Sequence, residues 1–438
     1  MCKITFLGAG STMFAKNVLG DCMCSDALKS CEFALYDIDG ARLKESEEIL
    51  AGIKREKGAD AQIDMYLGPE NRKAALKGAS FVINAVQVGG YDPCTIIDFE
   101  VPKKYGLRQT IGDTIGIAGI MRGLRTIPVM DEFVRDMEEV CPDAWFLNYV
   151  NPMAIITGYL QRYKGIKTIG ICHSVQICSE RLLQALGMED KIDGRKELIA
   201  GINHMGWLLE IKDRGGSDLY PEIKIRAREK NLKEKHYDMV RYDYIDKLGF
   251  YCTESSEHSA EYNTFYIKRM YPELIERFNI PLDEYPRRCI SQMEGWKEQR
   301  QEILSGDAAH ERSNEYASYL MEALITNKPY MFGGNVINTG LIENLPADAC
   351  VEVPCAADNA GFHPCHVGRL PVQLAAMNMT HINVHLIAIE AAVTRKKDLI
   401  YQAAMLDPHT ASELSVDEII KMTDELIAAH GKWLPAYK

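Results

Sequence analysis

Two short stretches carry side chains able to bind a divalent metal. In GICHSVQ (residues 170–176) Cys172 stands beside His173, directly after the β-branched run 167–171, and residues 175–186 have helical spacing. Both side chains therefore fall where a strand ends and a helix begins, the usual mouth of an open α/β sheet. Further along, GINHMGW sets Asn203 and His204 in apolar surroundings. A thiolate and an imidazole from neighbouring strand ends could hold one divalent ion and leave its other positions open. Two ligands are too few for a structural zinc site. Taken alone, these residues fit a buried free cysteine and a core histidine better. A third stretch, Glu254-Ser255-Ser256-Glu257-His258-Ser259-Ala260-Glu261-Tyr262, suits either a solvated helix start or the wall of a site. Tyr285-Pro286-Arg287-Arg288 offers fixed positive charge or hydrogen-bond donors.

The elements that must position these groups begin at the N-terminus. Residues 3–7 read as a strand, Gly8-Ala9-Gly10-Ser11-Thr12 as a tight glycine turn, and a helix opens at Phe14. This is a dinucleotide cradle, in which backbone N–H groups and a helix N-terminus face a pyrophosphate. Its third glycine is replaced by Met13. The next strand, 31–36, ends in Asp37, with Asp39 two residues beyond; an acid there would hold the adenosine ribose and favours NAD over NADP. A helix is expected over 41–57, and a buried strand over 81–86 runs into Gln87-Val88-Gly89-Gly90. Asp113 lies in a glycine-flanked loop, where its plainest role is a helix N-cap. Asn151-Pro152 ends a strand over 145–150, a placement that suits hydroxyl recognition or an ordinary turn.

Strand–helix alternation persists to about residue 195 and then changes. Strands are expected over 198–202 and 207–212, helices over 220–231 and 313–327, strands and turns over 329–353, and a long helix over 371–395. That helix carries Asn378, His381, Asn383 and His385, polar residues expected in a subunit interface or a satisfied core. The predicted architecture is α/β: a Rossmann-type parallel sheet over 1–198 and an α+β domain over 199–438. A chain of 438 residues is too long for one small core. Its net charge of -12 argues against nucleic acid and anionic membrane surfaces. No apolar run is long enough for a membrane span, and no signal peptide is expected, because MCKITFLGAGS enters a strand at once. Thirteen cysteines without paired spacing fit reduced thiols in a cytoplasm.

Assembled, the motifs resemble glycoside hydrolase family 4 across nearly the whole chain. They are ITFLGAGST (4–12), VGGYDPCTIIDFEVPKKYGL (88–107), MRGLRTIP (121–128), LNYVNPMA (147–154), GICHSVQ, AGINHM (200–205), TESSEHSAEY (253–262), LDEYPRRC (282–289) and AAHGKWLP (428–435). Cys172-His173-Ser174-Val175 is the version associated with α-galactosidases of that family. The resemblance implies an NAD- and manganese-dependent enzyme on a fold shared with lactate and malate dehydrogenases. Its chemistry is oxidation at C3 of the sugar, elimination across C1–C2, water addition and re-reduction, with no net redox change. It is an exception to the two-carboxylate scheme.

The same resemblance implies the site. Cys172 and His204 are metal ligands, Tyr262 is the base at C2, and Asp113 raises the basicity of that tyrosine. His173 occupies the proton donor's position, where relatives carry Asp; it could equally bind a galactose hydroxyl. Asn151 matches a sugar-hydroxyl ligand. Arg288 sits where phospho-sugar relatives contact phosphate, and here it binds a hydroxyl or pairs with Glu284. Gly8, Gly10, Ser11, Thr12, Asp37 and Gln87 fall to the dinucleotide. A homodimer or homotetramer is expected. The histidine-rich stretch Phe362-His363-Pro364-Cys365-His366 is taken as surface variation. Competing expectations are a family member acting on an α-glucoside or α-galacturonide, a 2-hydroxy-acid dehydrogenase, and a sugar- or NAD-sensing module without turnover.

Overall fold

The structure is a computed structural model that describes residues 2–305 and 310–438. Six strands, β1 (Lys3–Leu7), β2 (Glu32–Asp37), β3 (Gln62–Leu67), β4 (Phe81–Asn84), β5 (Trp145–Asn148) and β6 (Lys167–Ile171), pair in parallel in the order β3-β2-β1-β4-β5-β6. This is the dinucleotide-binding order, with its topological switch between β1 and β4. β1 and β4 are buried at every position, as both faces of a parallel sheet are covered, and their polar members Lys3, Thr5 and Asn84 are buried with the rest. The helix Gly40–Lys57 buries Leu43, Ile49, Leu50 and Ile53 along one side. Asp39 caps it by accepting from the Ala41 and Arg42 N–H groups, and Gly58 ends it in the left-handed region.

The later strands are β7 (Lys196–Ile202), β8 (Met205–Lys212), β9 (Tyr251–Cys252), β10 (Tyr330–Ile337), β11 (Cys350–Asp358) and β12 (Gly361–Pro364). They do not form a separate sheet. β10 pairs antiparallel with β6, β11 with β10, and β7, β8 and β9 follow outward, giving one continuous sheet among the described residues. The sequence pattern located β7 and β8 and expected strands over 329–353, where β10 and the start of β11 lie; it marked neither β9 nor β12, nor this order, in which β10 and β11 lie between β6 and β7.

The long helix is found as Val372–Thr394. Its Asn378, His381 and His385 are buried, while Asn383 is exposed. Asn378 Nδ2 donates to the Met205 carbonyl at 2.9 Å and His381 Nε2 to the Tyr262 carbonyl at 2.5 Å. Of the two roles expected for these residues, the structure shows a core that supports the site. Among the described residues, no helix is long and apolar enough to cross a membrane.

Candidate active site

At the end of β1 the chain turns through Gly8, whose φ is +89°; a Cβ there would come 2.9 Å from the Ala85 carbonyl. A Cβ on Gly10 would meet the Asp37 carboxylate at 2.8 Å. Only glycine lets the backbone lie this close to the strand ends. The helix Thr12–Met23 begins directly after, and its N-cap Ser11 makes no side-chain cap bond. Asp37 accepts from Gly10 N at 2.6 Å and from Ile38 and Asp39 N at 2.7 and 2.9 Å, so it shapes the turn at the switch point. Gln87 is exposed beyond β4. A tight glycine turn, a free helix start and an acid at the second strand end fit a dinucleotide.

Phe14, in the first turn of that helix, packs edge-on against Tyr149 with ring centroids 4.7 Å apart. Tyr149 also lines a cavity of about 260 Å³, so the glycine turn and this cavity adjoin. Asp113, Asn151, Cys172, His173, His204, Glu254, His258 and Arg288 all face into it.

Cys172 directly follows β6 and His204 sits in the turn between β7 and β8. Cys172 Sγ and His204 Nε2 are 3.4 Å apart. The Tyr316 hydroxyl donates to the Cys172 carbonyl at 2.9 Å and pins that strand end. His204 has φ +58° and Glu254 φ +70°, left-handed values that non-glycine residues hold only when their surroundings impose them. For His204 the restraint includes Asn203, whose amide donates to the buried Glu352 carboxylate at 3.3 Å. The Glu254 carboxylate lies 3.6 Å from His204 Nε2. A thiol, an imidazole nitrogen and a carboxylate oxygen therefore converge on one point, a donor set that fits a divalent metal.

The other nitrogen of His204 faces Thr114 and Tyr262. Nδ1 lies 3.0 Å from Thr114 Oγ1 and 3.4 Å from the Tyr262 hydroxyl. Thr114 Oγ1 donates to Asp113 Oδ1 at 2.7 Å, so its oxygen accepts from His204 Nδ1–H and leaves Nε2 as the free ligand atom. Asn151 Nδ2 donates to Asp113 Oδ2 at 3.0 Å, and His258 Nε2 is 3.7 Å from Oδ1. Asp113 caps nothing, contrary to its plainest sequence role. The helix it precedes starts at Gly116, with Ile115 as its N-cap, and the carboxylate turns into the cavity instead.

Burial works to raise the Asp113 carboxyl, but His258, Arg122 and His204 outweigh it and hold the group well below the carboxylate range. Glu254 is lowered in the same way, with burial opposed by His204, His258 and His173. Neither supplies the protonated acid that direct displacement at a glycosidic bond requires. Tyr262 is pushed well above the ordinary phenol value, by burial first and then by Asp113, Glu261 and Glu254. Once deprotonated it is a strong base, and a nearby cation would favour that state. Burial raises the Cys172 thiol as well, with Glu254 and Glu352 adding to it.

His173 is half exposed, with Nδ1 3.8 Å from Glu315. Arg288 pairs with Glu284 at 2.9 Å, one of its two expected roles, and also with Glu257 at 3.0 Å. Sequence reasoning marked the 254–262 stretch but gave roles only to Tyr262. It missed Glu254 and His258, and it missed Glu261, whose carboxylate accepts from Thr110 N at 2.7 Å, Gly112 N at 2.8 Å and Ile111 N at 3.2 Å. That grip fixes the loop carrying Asp113 and Thr114. The run Ser-Ser-Glu-His was the available signal for His258; Glu261 lay in the same marked stretch without anything local to tell its role, and nothing local marked Glu352. His363 and His366 pair with Asp358 and Glu343 away from the cavity. Both metal-capable clusters among the described residues contain His204.

The family 4 glycosyl hydrolase model matches residues 3–188, and the model of that family's C-terminal domain matches 199–410. The chain is 61% identical over 439 aligned residues to an α-galactosidase of Bacillus subtilis (strain 168), covering 100% of both chains. It is 34% identical to an α-galactosidase of Rhizobium meliloti (strain 1021), covering 99% of this chain and 89% of that one. It superposes with a TM-score of 0.82 on the crystal structure of a 6-phospho-α-glucosidase from gut microorganisms in complex with NAD and Mn²⁺, at 21% identity and covering 100% of both chains. With two family models spanning nearly the whole sequence and full-length relatives this similar, the chain belongs to glycosyl hydrolase family 4.

Proposed function

We propose that this enzyme is an α-galactosidase that acts on terminal α-galactosides with NAD and Mn²⁺ as cofactors. The observation that carries the reading is the His204 imidazole, with Cys172 Sγ 3.4 Å from one nitrogen and the Tyr262 hydroxyl 3.4 Å from the other. A metal-binding face and a phenol base share one ring, which suits removal of a proton beside a metal-polarised oxygen and not direct displacement. Sequence identity to α-galactosidases supports the substrate, and the NAD and Mn²⁺ named with the crystallised neighbour support the cofactors.

Gly8, Gly10, Ser11, Thr12, Asp37 and Gln87 hold the dinucleotide, and Cys172 and His204 hold the metal. When bound, NAD supplies reversible oxidation at C3 of the sugar and the metal supplies charge stabilisation at the adjacent oxygens. Tyr262 accepts the C2 proton, made more basic by the negative charge of Asp113. Asn151 orients a sugar hydroxyl while keeping Asp113 in place. His173, at the open side of the cavity, delivers a proton to the departing glycosidic oxygen. We place the enzyme in a cytoplasm, where its free thiols, Cys172 among them, stay reduced, and as a homodimer or homotetramer.

The test is hydrolysis of p-nitrophenyl-α-galactoside by metal-stripped, reduced protein, with NAD and Mn²⁺ added separately and together. Activity is expected only with both. Activity without either overturns the redox-elimination reading, and activity on another α-glycoside alone overturns the substrate.

A further inference from the structure

Among the described residues, Arg288 is the only arginine or lysine lining the cavity; Asp113 and Glu254 line it with opposite charge. Its positive charge is already taken. Nε contacts Glu284 at 2.9 Å and one terminal nitrogen contacts Glu257 at 3.0 Å, so one guanidinium faces two carboxylates. Glu284 divides its charge with Arg287, at 2.7 Å from its other oxygen. Glu257 does not: its residue is 9% exposed, and Oε2 is buried without a hydrogen-bond partner among the described residues. The buried carboxylate is thus held in place by Arg288 on one side only.

We infer that Glu257 is a specificity-determining residue that closes the cavity to sugars bearing an anionic group, by occupying the cation such a group would need. A uronate carboxylate or a sugar phosphate brought beside Arg288, which is itself 45% exposed, must share that cation with Glu257 or displace it, and leaving the buried Glu257 carboxylate without its cation is costly. A neutral hydroxyl needs only the guanidinium N–H groups left over. This rests on the functional reading above and sharpens it: the enzyme takes neutral galactosides because Arg288 is neutralised from behind.

The experiment compares kcat/KM for p-nitrophenyl-α-galactoside and p-nitrophenyl-α-galacturonide in the holoenzyme and in Glu257→Gln. The substitution is nearly isosteric, and the Thr110 hydroxyl bonds the Glu257 backbone oxygen, so the neighbouring loop keeps its anchor. The galacturonide-to-galactoside ratio is expected to rise by about tenfold or more, through KM for the galacturonide and with a gain that shrinks as salt is added. An unchanged ratio, or equal losses on both substrates, overturns the inference. Should Glu257→Gln fail to fold, Glu284→Gln gives the second reading, with a rise in the same ratio expected and no rise overturning it. A wild-type enzyme inactive on the galactoside refutes the functional reading alone. The charge inference is then decided by calorimetric binding of galactose against galacturonate to the same proteins.

Discussion

Tyr262 holds its place through its backbone as much as through its ring. His381 grips its carbonyl, and Glu261 beside it clamps the loop that carries Asp113 and Thr114. Removing only the phenol oxygen should therefore leave the fold intact. Tyr262→Phe is expected to lower kcat by about 10²- to 10⁴-fold, the usual contribution of a positioned base, with the NAD dissociation constant unchanged by fluorescence titration. Retained turnover would show that another group takes the proton. Glu261→Ala acts differently. It leaves the Thr110, Ile111 and Gly112 N–H groups without their partner, at a cost of about 1–3 kcal/mol for each buried group left unmade. A lower thermal midpoint and a fall in activity together are expected; a drop in activity with unchanged stability would mean that Glu261 takes part in the chemistry. At this scale the sequence was legible where residue types are rare. Cysteine beside histidine drew attention but taken alone fitted a core, and Tyr262, the end of a polar run, gained its role only through the family resemblance. Glu261 and Glu352 are ordinary glutamates in a linear reading, and their partners stand about 150 positions away.

The helix Val372–Thr394 shows how an element can carry polar residues inward for support. Its mean character is apolar, yet Asn378 and His381 reach the carbonyl of Met205 at the start of β8 and the carbonyl of Tyr262. His385, one turn on, is buried, and burial together with neighbouring His381 lowers its pKa to about 3. His381 is lowered by burial as well. A histidine depressed in the folded state stays neutral there while the unfolded chain takes up a proton below its ordinary value of about 6.5. The unfolded state then binds more protons, so stability is lost as pH falls from about 6.5 towards about 3, by up to about 1.4 kcal/mol per pH unit for His385. The thermal midpoint of the wild type should fall across this range, and that of His385→Leu should fall less steeply. Parallel slopes would mean that other groups dominate the acid limb. Periodicity gave this helix nearly to the residue. It could not tell interface from core, because both bury polar groups on an apolar background and the choice depends on what packs opposite.

Across the whole molecule, the dinucleotide turn and the metal-capable pair stand on one sheet. Cys172 directly follows β6, the last parallel strand, and His204 follows β7. Between them β10 and β11 bridge, supplying Asn335 to back β6 and Glu352 to hold Asn203. The spacing of thiol and imidazole is therefore set by strands from residues 330–358, far downstream in the chain. The expected division at 198–199 follows a change in sequence pattern, but such a pattern cannot disclose which distant strands pair, since pairing depends on contacts that no local window contains. A fragment comprising residues 1–198 would expose the edge of β6 where β10 belongs and would carry Cys172 without His204. Unpaired N–H and C=O groups along an apolar edge are a template for association. Size-exclusion chromatography of that fragment should show aggregation, and calorimetry of the intact chain a single unfolding transition. A monomeric, NAD-binding fragment, or two separated transitions in the intact chain, would show that the parallel half folds on its own. The distance between Cys172 and His204 would then be set when two finished domains dock, and not by one sheet folding through both.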